Sequence, residues 1–496
     1  MGKINYATPA EIEEVFVDAR KAFDSWSQKS IKERLYYMKE IRELLVGKMD
    51  YIINKISYDT GKVRTEALMS DLLPVLELIK YYEKNAEKIL GERSKKTPIY
   101  YWRNRAYLQY SPLGVIAVIS PWNYPLQLAL IPTLTAVIAG NAVVLKPSEL
   151  TPLVGELIRE FLLETSLPEN VVQIVQGEKK EVEKIIEEGP DKIFFTGSTA
   201  TGKKIMKKAA DKMIPVQLEL GGKDPMIVTA DANFERAVQA AVYGAFSNSG
   251  QLCVSIERLY IQEKIYDDFV EEVKEKTLKL RFEGEYDAEL GPIIHPELIG
   301  MIKKQVKDAL KKGAELLTEL KEEGNYLHPI LLKDTDHKML VMQEESFGPI
   351  LPMMKYKSIE EAVALANDCR YGLNASVWSE NLNKAKDIAS RLETGNCYIN
   401  DVVKNIGNPH LPFGGIKDSG YGKYHGEAGL KNFSHEKAVM VNKSRFSREV
   451  NWFPYSHRKY QTVKYMIKSL FSGDSYLQKI KYLLKIIPYL WSGEDD

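Results

Sequence analysis

Val115-Ile116-Ala117-Val118-Ile119, Ala142-Val143-Val144-Leu145, Val171-Val172-Gln173-Ile174-Val175 and Lys192-Ile193-Phe194-Phe195 are short apolar runs separated by stretches long enough to hold a helix. A strand with one wet face alternates apolar and polar side chains, whereas a strand covered on both faces reads as an almost continuous apolar run. Runs of the second kind, joined by helical segments, are what parallel strands and crossover helices produce. The expected fold class is therefore α/β, built on a doubly wound sheet, and the ligand of such a sheet lies at the carboxyl ends of its strands.

The residues at those ends are polar and specific. Pro121-Trp122-Asn123-Tyr124-Pro125 comes after the first run, Lys146-Pro147-Ser148-Glu149 after the second, and Thr196-Gly197-Ser198 after the fourth. Gly197-Ser198-Thr199-Ala200-Thr201-Gly202 opens a helix, whose unpaired N–H groups and partial positive charge suit a pyrophosphate. The Gly-x-Gly-x-x-Gly spacing of an ordinary dinucleotide fingerprint is absent, so these glycines alone read equally well as a plain helix start. Lys146 with Glu149 alone reads as a solvated ion pair, and Asn123 between two prolines as a turn cap.

A second α/β region runs from about Glu219 to Gly420. It contains Glu219-Leu220-Gly221-Gly222-Lys223, Gly250-Gln251-Leu252-Cys253 and Glu345-Ser346-Phe347-Gly348-Pro349. A thiol is a useful nucleophile only as thiolate, and a glutamate can take its proton directly or through water. A lone Gly-x-x-Cys is more often a buried structural cysteine.

Taken together and in order, these motifs resemble those of aldehyde dehydrogenases, over residues 10–445 or thereabouts. The resemblance implies a Rossmann-type cofactor domain, an α/β catalytic domain and a small β oligomerisation arm. It places the cofactor domain at 1–96 with 114–218, the catalytic domain at 219–422, the arm at 97–113 with 436–450, and a basic amphipathic extension at 451–496. It makes Cys253 the nucleophile, Glu219 the base and Asn123, with the Cys253 backbone N–H, the donor to an alkoxide. Trp122, Lys146, Ser148, Glu149, Gly197, Ser198, Gly202, Leu220, Glu345 and Phe347 become cofactor-binding residues. Lys146 and Glu149 would meet the adenosine ribose, Glu345 the nicotinamide ribose, and Phe347 the nicotinamide. A carboxylate at Glu149 repels a 2′-phosphate and favours NAD, with NADP the alternative if Lys179-Lys180 lie close enough to offset it. The implied reaction oxidises an aldehyde through a thiohemiacetal and a thioester; Glu219 favours hydrolysis of the thioester over its transfer to coenzyme A.

Composition bounds the remainder. The chain has 496 residues, too many for one core, with 44% apolar and 27% charged residues as in ordinary globular proteins. Lys plus Arg and Asp plus Glu are 68 each, which gives no global field for nucleic acid. Three cysteines, Cys253, Cys369 and Cys397, cannot all pair, and a reducing, cytoplasmic location is expected. The start of the chain carries no apolar signal run, no stretch is long enough to span a membrane, and the seven histidines lack metal-ligand spacing, so no metal is expected.

Residues Pro9 to Lys96 show helical spacing among many charges and are expected as long surface helices. The aromatic stretch from Tyr100 to Tyr110 is expected to be extended and to make a homodimer or homotetramer. Over 463–491 the apolar positions Val463, Met466, Ile467, Leu470, Phe471, Leu477, Ile480, Leu483, Leu484, Ile487 and Trp491 alternate with Lys464, Lys468, Lys479, Lys481 and Lys485. This suits either a peripheral membrane contact or a helix pair packed on protein.

For substrate, an aliphatic, medium- or long-chain aldehyde is expected first, from Tyr424-His425-Gly426 and Asn432-Phe433-Ser434-His435, which look like the class 3 and fatty-aldehyde branch. Succinic semialdehyde is the alternative, from Val254-Ser255-Ile256-Glu257-Arg258. The rivals of another class are a thiol hydrolase or esterase using Cys253 and Glu219 without redox chemistry, and a non-catalytic protein on an inherited fold.

Overall fold

The computed structural model describes residues 5–282, 286, 288–445, 449 and 451–487. By contacts the chain divides into two units, residues 1–92 with 109–437 and residues 93–108 with 438–496. Two parallel-rich sheets fall in the first.

The first sheet has six strands in the order Gly420–Tyr421, Val216–Glu219, Lys192–Thr196, Val115–Ile119, Ala142–Lys146, Val172–Ile174. All are parallel except the edge pair Gly420–Tyr421. Chain order reverses between Val115–Ile119 and Lys192–Thr196, the switch point at which a doubly wound sheet opens a crevice for its ligand. The strands Val115–Ile119 and Ala142–Lys146 are buried along their whole length, which accounts for their unbroken apolar sequence. Between them Pro125–Ala139 is a helix buried at every residue; Pro125 stands in its first turn and Gly140, at φ +101°, ends it.

Register brings the carboxyl ends of the strands level. Ile119 lies opposite both Lys146 and Phe195, and Thr196 opposite Glu219. The Trp122–Asn123 turn, Pro147–Glu149, Gly197–Ser198 and Leu220–Gly222 therefore leave the sheet along one edge.

The second sheet has seven strands in the order Glu315–Leu316, Ile330–Lys333, Ile350–Tyr356, Ile256–Gln262, Asp224–Val228, Ser376–Trp378, Tyr398–Ile399. Only Glu315–Leu316 pairs antiparallel. The chain passes from one sheet to the other through Leu220–Lys223, so the boundary expected between residues 218 and 219 cuts the strand Val216–Glu219. Glu219 ends a strand of the first sheet, and Gly420–Tyr421 returns to pair with it.

The helices expected over Pro9–Lys96 are Pro9–Trp26, Ile31–Gly47, Met49–Thr60 and Leu73–Leu90. They are not simply superficial: Trp26, Met38, Ile56 and Tyr82 are wholly buried. A π-helical turn, Ala67–Leu72, breaks the series just before Leu73; such turns cannot be read from a 3.6-residue period and are frequent at functional sites.

In the second unit Arg93–Lys95 pairs antiparallel with 106–108. The stretch expected to be extended from Tyr100 begins instead with a 3₁₀ turn, Ile99–Tyr101, ahead of the strand Asn104–Pro112. Among its described residues the C-terminal extension forms two helices, His457–Phe471 and Tyr476–Leu484, whose Tyr465 and Tyr482 ring centres lie 6.4 Å apart. Phe471, Leu477, Leu484 and Ile487 remain exposed; residues 488–491 of the expected apolar segment lie outside the described residues. Among the described residues no helix is long and apolar enough to cross a membrane.

Candidate active site

Three glycines bring the separate motifs together. A Cβ at Gly222 would fall 2.5 Å from the Cys253 carbonyl oxygen, and one at Gly221 would fall 2.2 Å from Oε2 of Glu345. Gly250 has φ +74°, and a Cβ there would fall 2.2 Å from the Gly348 carbonyl oxygen. The Glu219–Lys223, Gly250–Cys253 and Glu345–Pro349 segments thus meet with no room for side chains at the points of contact. The nucleophile loop is also held in an uncommon conformation, with Asn248 and Ser249 at φ +49° and +54°. Such backbone costs about 1–3 kcal/mol per residue and persists where surrounding contacts over-determine it. Here Ser249 Oγ donates to the Gly291 carbonyl at 2.6 Å and Asn248 Nδ2 to the carbonyls of Asn123 and Gln251 at 3.1 and 3.2 Å.

Asn123 is buried, and its Nδ2 donates to the Gln251 carbonyl at 3.0 Å. Turn capping would have directed that amide at its own loop; instead it reaches the loop of Cys253. Cys253 is half-buried. Burial first, and then the carboxylates of Asp224, Glu345 and Glu219, push its thiol pKa far up, so the resting group carries its proton and needs a base. Glu219 is buried at the strand end, where Oε1 accepts a 2.5 Å bond from Gln217 Nε2 and Oε2 has no partner. Burial pushes its pKa well above the ordinary carboxylate value, against the Gln217 bond and the Lys423 charge. Lys423 is tethered by its Nζ to the carbonyls of Gly395 and Gly414.

This arrangement carries a signed prediction. Lys423 favours ionised Glu219, so Lys423→Met raises the Glu219 pKa further, and the acid limb of the kcat profile for aldehyde oxidation moves to higher pH. An unmoved limb would disconnect Lys423 from the base.

The residues expected to bind the cofactor lie along the same edge. Lys146 is buried, with Nζ 2.5 Å from Glu149 Oε2. Ser148 Oγ accepts the Leu150 N–H at 3.2 Å, shaping the turn. Ser198 caps the helix Thr199–Ala210 by accepting the Thr201 N–H at 3.3 Å, and the Gly197 N–H donates to the Glu219 carbonyl at 3.0 Å. The free first-turn N–H groups and the helix dipole are then left for a phosphate. A Cβ at Gly202 would fall 2.6 Å from Leu220 Cδ2, so Leu220 packs on the start of that helix. Trp122 and Phe347 stand edge to face with ring centres 5.5 Å apart. Glu345 Oε1 accepts the Gly222 N–H at 3.0 Å, and burial with the nearby Glu257 charge pushes its carboxyl up to about 8. Lys179 and Lys180 are exposed at the start of the helix Lys179–Glu187. The hydroxyl of Tyr6 donates to Glu178 Oε1 at 3.0 Å; burial, then Glu178, Glu149 and Glu181, raise its pKa. The donors and acceptors present fit a dinucleotide: a helix N-terminus for its phosphates, and carboxylates at two places where ribose hydroxyls could donate.

Several residues of this site went unremarked in the sequence. Glu257 accepts the N–H groups of Ser346 and Phe347 at 2.8 and 2.9 Å, holding Phe347 at φ +50°, and is itself paired with buried Lys223 at 2.6 Å. A Glu-Arg pair inside the buried strand Ile256–Gln262 is the signal that could have found it, since buried charges are costly unless partnered.

The model of the aldehyde dehydrogenase family matches residues 1–439, and the chain belongs to that family. It is an NAD(P)-dependent oxidoreductase acting on an aldehyde. It is 43% identical over 480 residues to 4,4'-diapolycopene aldehyde oxidase of Methylomonas sp., covering 97% of this chain and 91% of that one. To a putative NADP(+) succinate-semialdehyde dehydrogenase of Mycolicibacterium smegmatis it is 33% identical over 451 residues, covering 89% and 86%. Its fold matches that of a Mycobacterium tuberculosis aldehyde dehydrogenase complexed with NAD+, at TM-score 0.84 and 29% identity, covering 88% and 91%. It also matches NADP-dependent glyceraldehyde-3-phosphate dehydrogenase of Bacillus halodurans C-125 complexed with NADP, at TM-score 0.84 and 34% identity, covering 90% and 94%.

Proposed function

We propose that this protein oxidises a neutral, extended apolar aldehyde to its carboxylic acid, with NAD preferred to NADP. One observation carries the substrate reading: of two relatives named for different aldehydes, this chain is 43% identical over 97% of its length to the one named for an extended apolar aldehyde, and 33% identical over 89% to the one named for succinate semialdehyde. The relative named for a diapolycopene aldehyde supports the same reading; the relative named for succinate semialdehyde supports the other. NAD preference is supported by the acidic company of Glu149, Glu178 and Glu181 around Tyr6, into which a 2′-phosphate would bring more negative charge.

In the proposed cycle the Cys253 sulfur adds to the aldehyde carbon and its proton passes to Glu219. One N–H of the Asn123 amide is committed to Gln251; the second, with the Cys253 backbone N–H, holds the alkoxide oxygen of the thiohemiacetal. Bound NAD(P) supplies the acceptor for the hydride that leaves the substrate carbon. With the C–H bond broken and the alkoxide pair returned to C=O, Cys253 carries a thioester. Glu219, having released the thiol's proton to solvent, then takes a proton from water, whose oxygen attacks the thioester carbon; the C–S bond breaks, the sulfur regains that proton from Glu219 and the acid leaves.

A series of straight-chain aldehydes from acetaldehyde to dodecanal, beside succinic semialdehyde, tests the substrate. Each methylene buried contributes about 0.8 kcal/mol, so kcat/KM should climb about fourfold per added carbon until the channel ends. Flat or falling kcat/KM, with succinic semialdehyde the best substrate, would overturn the reading.

A further inference from the structure

Beneath Asn123 lies an ion pair that takes no part in the chemical steps of the cycle. The side chains of Lys62 and Asp71 are wholly buried, with Nζ 2.6 Å from Oδ2. Taking two charges out of water is expensive, and apolar replacements for such pairs often leave a protein as stable or more so, so stability gives a poor account of this one. Its remaining bonds converge on one turn of chain. Lys62 Nζ donates to the Asn123 carbonyl at 2.8 Å and stands 3.8 Å from the centre of the Tyr124 ring. Asp71 Oδ1 accepts the N–H groups of Leu126 and Gln127 at 3.2 and 3.5 Å, occupying the N-terminus of the helix that begins just after Asn123. The second donor to the Asn123 carbonyl is Asn248 Nδ2, at 3.1 Å, which also bonds the Gln251 carbonyl that the Asn123 side chain reaches. The Asn123 peptide is thus fixed from one side by the Lys62–Asp71 pair and from the other by the nucleophile loop. Asp71 sits in the π-helical turn Ala67–Leu72.

We propose that Lys62 and Asp71 are positioning residues for the alkoxide contact: they lock the backbone at Asn123 so that its side-chain amide is aimed at the alkoxide oxygen on the carbon attached to Cys253. The proposal rests on Asn123 being the alkoxide donor.

The test compares kcat, KM and NAD binding, with dodecanal as substrate, for Asn123→Ala, Lys62→Met, Lys62→Met combined with Asp71→Asn, and Lys62→Met combined with Asn123→Ala. The Asp71→Asn combination removes the carboxylate that Lys62→Met would strand, and is the variant to use if the single one fails to fold. Asn123→Ala should lower kcat about 100- to 1,000-fold. Loss of Lys62, singly or with Asp71→Asn, should lower kcat at least about tenfold while KM and NAD binding stay within about twofold. Added to Asn123→Ala, Lys62→Met should cost less than about a further twofold, because residues acting through one another are not additive. Fully multiplicative losses, or an unchanged kcat without Lys62, would overturn the proposal. An unchanged kcat in Asn123→Ala would remove the alkoxide-donor reading, and the proposal with it.

Discussion

Cys253→Ala gives a folded protein that binds NAD and forms reduced nicotinamide from no aldehyde, with kcat down more than about a thousandfold. In the proposed cycle the thiol sulfur makes and breaks the covalent bond to the substrate, and no neighbouring side chain replaces it. Cys369 is buried apart, and Cys397 bonds the Tyr398 carbonyl. Loss of one half-buried thiol removes little packing, so the fold is expected to survive. Dehydrogenase turnover persisting in this variant would move the nucleophile elsewhere; an ester-cleaving activity that depends on Cys253 in a protein that binds no NAD(P) would favour the hydrolase reading.

Glu219→Gln slows steady-state turnover about 100- to 10,000-fold, the range general base catalysis supplies. The loss falls on both proton transfers and most heavily on hydrolysis of the thioester: the thiol, whose pKa burial raises, can still pass its proton slowly to solvent at high pH, but water at a thioester has no substitute base. A first burst of reduced nicotinamide, slower than in the parent and faster at high pH, therefore survives, seen by stopped-flow absorbance, and near silence comes after it. Stability provides the internal control. Burial raises the folded-state pKa of Glu219, so its ionisation disfavours the fold; the penalty is absent below the ordinary carboxylate pKa and grows as pH rises from there to the folded value. Glu219→Gln removes that penalty and should melt no lower than the parent at neutral pH. A variant that melts much lower, or that hydrolyses at the parental rate, would contradict the assignment.

The first sheet was legible because its strands are covered on both faces. Burial forces unbroken runs such as Val115–Ile119, and parallel pairing forces the polar motifs to their carboxyl ends. The candidate residues of chemistry could be picked out for a related reason: Cys253, Glu219 and Asn123 stand in short segments that the structure brings together, with backbone crowding at Gly221, Gly222 and Gly250. The supports were not legible. Lys62 meets Asn123 across 61 positions, and Glu257 meets Phe347 across 90; no local period records such pairings. The π-helical turn at Ala67–Leu72 and the 3₁₀ turn at Ile99–Tyr101 escaped because tertiary contacts override local spacing there. Substrate class was the least legible, because the local cues at Val254–Arg258 and at Tyr424–Gly426 point to different aldehydes.

The central claim, that an apolar aldehyde becomes a thioester on Cys253, is tested most directly by trapping that thioester. Glu219→Gln, mixed with dodecanal and NAD and quenched in acid during the burst, is digested and weighed by mass spectrometry. The account predicts a dodecanoyl group on the peptide containing Cys253, one per active site, absent when NAD is omitted. A burst of reduced nicotinamide with Cys253 unmodified, or the acyl group on another residue, would contradict it.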